Sequence, residues 1–209
     1  MMQHFNRLKQ RLQTFLECNK GVIFIEFAIC VSVLLVMFFG AMEISRYALI
    51  IQKAEKTVST VTDIVTQTQN PVPGIATAPP VSTMAILMTL VPDLMSPYSS
   101  PNMLVIISDV SIKTAGSPIL NWQYCGGGTL SAKSKIKGSP GGTADISAAL
   151  PGFTMAAPEE IIVSEMFYSF IPITNSNIIP SSMLYRNTVS PPRNSSDSLA
   201  APATYPPCP

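Results

Sequence analysis

The chain has 209 residues, of which 47% are hydrophobic and 12% charged, with thirteen Lys and Arg against twelve Asp and Glu. An ordinary soluble domain carries roughly 25% charged residues, and a nucleic-acid binder shows a basic surplus. Both descriptions are excluded, and nineteen prolines with a mean hydropathy of +0.33 point to a membrane-attached or exported protein.

The hydrophobicity is concentrated. Val22 to Met42 reads VIFIEFAICVSVLLVMFFGAM, with Glu26 its only charge. As a helix this stretch covers about 31 Å, against a bilayer hydrocarbon core of roughly 30 Å. Arg7, Lys9, Arg11 and Lys20 precede it, against one acid, Glu17. The positive-inside rule then places residues 1–21 in the cytoplasm as a basic leader and everything after the span on the far side. A cleaved secretory signal is the alternative, but its apolar region runs about 7–15 residues and ends at a small-residue site.

Beyond the span, residues 43–69 predict an amphipathic helical extension. Ile44, Tyr47, Ile51, Ala54, Val58, Val61 and Val65 recur at alternating steps of three and four, the spacing of a one-faced seam. The run TVSTVTDIVTQT is rich in β-branched residues, which lower helix propensity. That stretch therefore needs the rest of the domain packed against it. Asn70-Pro71 ends the helix, since the residue before proline is pushed out of the α region.

Glu26 stands out as a carboxylate in a hydrocarbon span, at a cost of roughly 2.5–3.5 kcal/mol at the centre and less near an end. Tolerance at the cytoplasmic interface is one reading. The neighbours favour another: Lys20-Gly21 directly precedes Val22-Ile23-Phe24-Ile25-Glu26-Phe27, so the glutamate is the fifth residue after the glycine. This resembles the processing site of type IV pilin-like precursors. The resemblance implies a prepilin peptidase cutting between Gly21 and Val22, and a new α-amino group on Val22. A neighbouring subunit's Glu26 would neutralise that amine and so fix the inter-subunit register.

Further residues narrow the resemblance. Phe39-Gly40-Ala41-Met42-Glu43-Ile44-Ser45-Arg46-Tyr47 forms an FGxxExxR pattern. With the GxxxxEFA pattern before it, the region resembles the N-terminal signature of TadE-like proteins, minor pseudopilins of tight-adherence (Flp, type IVb) pilus systems. Glu160 to Pro172, closing in Tyr-x-x-x-Pro, and the Arg186…Pro191-Pro192-Arg193 stretch are similar to that family's later segments. One departure is the absence of a proline in the first third of the span, which reads Ile29-Cys30-Val31-Ser32-Val33. The resemblance implies a non-enzymatic part in pilus biogenesis, adhesion and biofilm formation. It also implies an inner-membrane location with a periplasmic head, and other pilins and pseudopilins, the secretion machinery and the lipid bilayer as partners. Gly40, Glu43 and Arg46 mark the membrane boundary. Glu43 and Arg46, at i and i+3, could pair, although interfacial snorkelling accounts for both.

The exported part predicts an α+β, pilin-like domain over residues 81–189, with an antiparallel sheet laid on the long helix. A proline-rich connector, residues 70–80, leads into a second helix over Val81–Leu94. Strands follow at Met103–Ile112, Leu120–Tyr124 and Ile161–Ile171, separated by Gly, Pro and Ser turns. Residues 190–209 form a proline-rich tail, read as an extended wrap or disordered. Cys18 and Cys30 fall in the leader and the span. Cys125 and Cys208 share the exported portion, where oxidation favours a disulfide; two free thiols are the alternative.

Chemistry is sparse. The one histidine, His4, lies in the leader, so no Ser-His-Asp or Cys-His arrangement is available to the exported part. No spacing offers a metal site, and no cofactor or nucleic acid is implied. Gly126-Gly127-Gly128 lacks the GK[ST] of a phosphate loop and reads as a turn. Lys133, Lys135 and Lys137 alternate as on a solvated strand edge; an anion-binding patch is the rival reading. Glu159 and Glu160 have no catalytic partner. Two other functions stay open: an uncleaved single-span periplasmic scaffold of a secretion machine, and a membrane-anchored hydrolase.

Overall fold

The computed structural model describes residues 20–67, 83–98, 100–113, 116–173, 180–193 and 208. Most of the leader, the proline-rich connector and most of the tail lie outside these described residues. The elements are α1 (Lys20–Gln67), α2 (Thr83–Met95), a 3₁₀ turn (Ser100–Asn102), β1 (Met103–Ile112), β2 (Ile119–Gly126), β3 (Glu159–Phe170) and β4 (Ser182–Ser190). The α+β architecture expected from the sequence is what is found: a long apolar N-terminal helix and a small antiparallel four-stranded sheet. By contacts the chain forms two units, Met1–Ser45 and Arg46–Pro209; the second is the head.

The sheet order is β2-β1-β3-β4, every pair antiparallel. β1 is buried along its whole length. A strand covered on both faces reads as a continuous apolar run, not an alternation, and MLVIISDVSI is such a run. On one face Met103, Val105 and Ile107 of β1 join Trp122, Tyr124, Ile162 and Met166 in a core completed by Ile50, Ala54, Val58, Val61 and Val65 of α1. The valine seam of the helix therefore builds the head's main core, which offsets the poor helix propensity of its β-branched residues. Ile50 takes the buried position at the start of the seam, whereas Ile44 is exposed.

Helix α2 packs on the same face through Met84, Leu87, Met88 and Val91. Two glycines at the end of β2 let it approach closely. A Cβ on Gly126 would meet Met88 Cγ at 2.8 Å, and one on Gly127 would meet Val91 Cγ1 at 2.9 Å. Gly127 also has φ +86°, in the region that favours glycine. The triple glycine is thus a turn, as expected, and also a seat for a helix.

The opposite face of the sheet is covered by the long β2–β3 connection. Ile136, Ala144, Ile146, Ala149 and Leu150 pack on Val110, Leu120, Ile161 and Val163. Lys133 and Lys135 lie in irregular chain, and Lys137 makes only an isolated bridge to Asp145, so the expected strand edge is not formed there. The segment is held by Glu165, fully buried on β3. Its carboxylate accepts hydrogen bonds from Ser134 Oγ, from Lys135 N at 2.9 Å and from Tyr185 Oη at 2.9 Å. Three donors are what make a buried carboxylate tolerable. Lys135 Nζ lies 3.5 Å above the Tyr185 ring, which satisfies that lysine locally. Burial and the adjacent Glu165 charge push the Tyr185 phenol well above its usual range.

β4 is the element the sequence reading left without a strand. It pairs with β3 from Ile162–Ser190 to Phe170–Ser182. Arg186 Nε lies 2.8 Å from Glu55 Oε1 on α1. Past the strand, Arg193 N donates to Thr66 O at 3.1 Å, satisfying a carbonyl at the helix end that has no intrahelical donor.

Candidate functional site

The sequence singles out two clusters on α1. Gly21, Val22 and Glu26 lie within its first two turns, and all three are exposed. Nothing lies within 4 Å of where a Cβ on Gly21 would sit. Around Glu26 the helix presents a wholly apolar exterior: Phe24 is 73% exposed, and Ile23, Phe27, Val36 and Met37 each exceed 60%. This span meets the length and hydropathy needed to cross a membrane, and a helix apolar all round is one that lies in lipid or among other helices. Ser32 Oγ donates to Ala28 O at 2.8 Å, so its hydroxyl is satisfied within the helix.

The second cluster, Gly40, Glu43 and Arg46, begins about four turns beyond Glu26. The structure separates residues the sequence treated alike. Glu43 is fully buried, so its carboxylate does not snorkel into solvent. Arg46 is half-buried and belongs to the head. Its Nη1 donates to Ile171 O at 3.1 Å, and its guanidinium lies 5.4 Å from the centroid of the Phe170 ring. The Tyr47 ring meets Phe170 edge-on at 5.0 Å, a favoured aromatic geometry. Arg46 and Tyr47 thereby clamp the end of β3. A cleft of about 360 Å³ opens beside them, lined by Arg46, Pro97, Tyr98, Asn102, Tyr168 and Ile171. Burial raises the Tyr168 phenol above its ordinary value.

Cys125 and Cys208 are joined by a disulfide with a Cα separation of 5.5 Å. It packs with Leu104, Ile106 and Phe167 on the face of the sheet away from the helices. Cys30 is an exposed free thiol on the span.

One polar group was missed. Asp109 of β1 is fully buried. Its Oδ2 accepts from Asn121 Nδ2 at 3.2 Å, and Asn121 also exchanges hydrogen bonds with Ser111. Desolvation, then the charge of Glu160, pushes the Asp109 carboxyl up to about 8. A single aspartate inside an apolar run gives no sequence signal of this kind. Among the described residues no three His, Cys, Asp or Glu side chains are grouped to hold a metal.

With this geometry in view, a family profile described as TadE-like protein matches residues 21–62. The match begins at the glycine of the processing pattern, passes through the boundary motif and ends within the valine seam. No curated protein and no solved structure matches the chain. Over residues 21–62 the chain is similar to the TadE-like family, and its four-stranded head lies beyond that match.

Proposed function

We propose that this protein is a non-catalytic minor pilin or pseudopilin of a bacterial tight-adherence pilus, held in the inner membrane by α1 with its head in the periplasm. The TadE-like match connects the chain to Tad pilus assembly. One observation carries the finer reading: Glu26 is a carboxylate on a fully exposed apolar helix, five residues after the glycine at which the family match begins. In hydrocarbon that carboxylate is costly unless paired. A prepilin peptidase cutting after Gly21 creates the complement, the α-amino group of Val22. Pairing Glu26 of one subunit with that amine on its neighbour satisfies both charges in a single axial stagger. Residues 1–21 serve as the cytoplasmic leader, and the disulfide secures the tail to the head.

Intact-mass measurement in cells with and without the prepilin peptidase tests this. Loss of residues 1–21 only when the peptidase is present supports the reading. Retention in both makes the protein an uncleaved single-span scaffold. Glu26→Ala should preserve membrane insertion and abolish assembly with other pilins; normal assembly would make the carboxylate incidental.

A further inference from the structure

We propose that the end of β3 and the residues that follow it form a lipid-docking lip, by which the head rests on the bilayer its own helix crosses. The proposal rests on the membrane reading of α1 and adds a second, shallow point of attachment.

Three of the head's exposed large apolar side chains gather at one end of the sheet, while Leu49, Ile64, Ile86 and Leu90 on the helices, and Ile119 and Phe153, are exposed elsewhere. Ile171 is 55% exposed, Ile173 64% and Met183 52%. All three lie at the end of the sheet where Phe170 pairs with Ser182. The other end carries Ser111, Glu159, Glu160 and Ser190, with Ile119 its one exposed large apolar strand residue. Ile171 also lines the 360 Å³ cleft, and apolar side chains gathered at one end of a sheet mark an interaction surface.

Chain connectivity identifies what covers it. Arg46 holds Ile171 by a hydrogen bond, and only four residues separate Arg46 from Met42, the end of the span. Four residues reach at most about 14 Å fully extended, and about 6 Å as helix. The headgroup zone adds roughly 5–7 Å on each side of the hydrocarbon core. Because the helix is continuous from Lys20 to Gln67, the Arg46 backbone follows the end of the span by about 6 Å, a distance comparable to the headgroup zone. The lip's chemistry suits that depth. Ile171 and Ile173 can enter the acyl boundary, while the half-buried Tyr98 has the amphipathic ring enriched at such interfaces. The Arg46 guanidinium supplies positive charge for lipid phosphate. The occupant is a phospholipid of the leaflet facing the head.

The full chain is tested in phosphatidylethanolamine–phosphatidylglycerol vesicles with chain-brominated lipid. An environment-sensitive fluorophore is attached through Ile173→Cys in a Cys18→Ser, Cys30→Ser background without reductant, leaving the disulfide intact. Two comparison proteins carry the label on native Cys30 (Cys18→Ser only) and on Ser139→Cys, an exposed position at the sheet's other end. Emission at position 173 should fall at least twofold with brominated lipid, while that at 139 should not change. Equal behaviour at 173 and 139, with Cys30 quenched, overturns the lip and leaves the span intact. An unquenched Cys30 overturns the membrane reading itself. Protection of 173 from aqueous iodide without quenching by lipid assigns the surface to a second protein copy and also overturns the proposal.

Discussion

The buried Asp109 carboxyl makes a quantitative prediction about the head. An acid whose pKa is raised from 3.8 to about 8 by folding binds its proton more tightly in the native state. Its contribution to stability is therefore fully present below pH 3.8 and is lost as the pH rises toward about 8. Over that window the native state holds one more proton than the unfolded chain, a slope of about 1.4 kcal/mol per pH unit. Between pH 5 and pH 7 this amounts to about 2.7 kcal/mol, or roughly 5–10 °C in Tm for a chain of this size. The Glu160 charge adds to the effect of burial in raising the Asp109 carboxyl. Asp109→Asn retains the shape and the hydrogen bond to Asn121, and should flatten the slope over this range; Glu160→Gln should flatten it in part. Trp122 is the only tryptophan, fully buried and opposite Asp109 in the β1–β2 register, so its fluorescence reports unfolding of the full chain in detergent. An unchanged slope in Asp109→Asn, or wild-type stability that rises from pH 5 to pH 7, would refute the reasoning.

Other perturbations test other parts of the head. Opening the Cys125–Cys208 bridge, whose residues are 83 apart, should cost about 4.5 kcal/mol on the chain-entropy model; Cys125→Ser compared with wild type in denaturant titrations measures it. Phe170→Ala removes a fully buried ring held by Tyr47 and Arg46 and should cost about 3–5 kcal/mol, read as a drop in Tm. Gly127→Ala forces a positive φ on an L residue and drives its Cβ into Val91, and should destabilise by about 1–3 kcal/mol; an unchanged denaturation midpoint would show that α2 shifts freely. Arg186→Ala breaks a largely exposed ion pair with Glu55 and should cost no more than about 1 kcal/mol, falling with added salt.

How much was legible depended on how each element buries itself. β1 was read with its observed ends because a strand covered on both faces is an uninterrupted apolar run. β3 was placed to within two residues for the same reason. β4 was missed because its Ser-Met-Leu-Tyr-Arg-Asn-Thr-Val-Ser mixes polar and apolar residues at a sheet edge, where pairing with β3 rather than composition makes the strand. The cover over residues 130–156 was also invisible, since its buried side chains are scattered through irregular chain without a period. At the candidate site, the spacing of Gly21 and Glu26 is a local pattern along one helix, α1. The hold of Arg46 on Ile171 bridges 125 positions, so it has no local trace.

The valine seam carries one more consequence. Because α1 contributes Ile50, Ala54, Val58, Val61 and Val65 to the head's main core, that core cannot close until β3 and β4, more than ninety residues later in the chain, have been made. During synthesis the helix must wait with an uncovered greasy stripe, a state prone to capture by chaperones or by other unfinished chains. The same arithmetic warns against excising the C-terminal portion for study. A fragment beginning at Val81 would lack one wall of its own interior, and its inactivity in any assay would reflect that missing wall before it reflected the protein's chemistry.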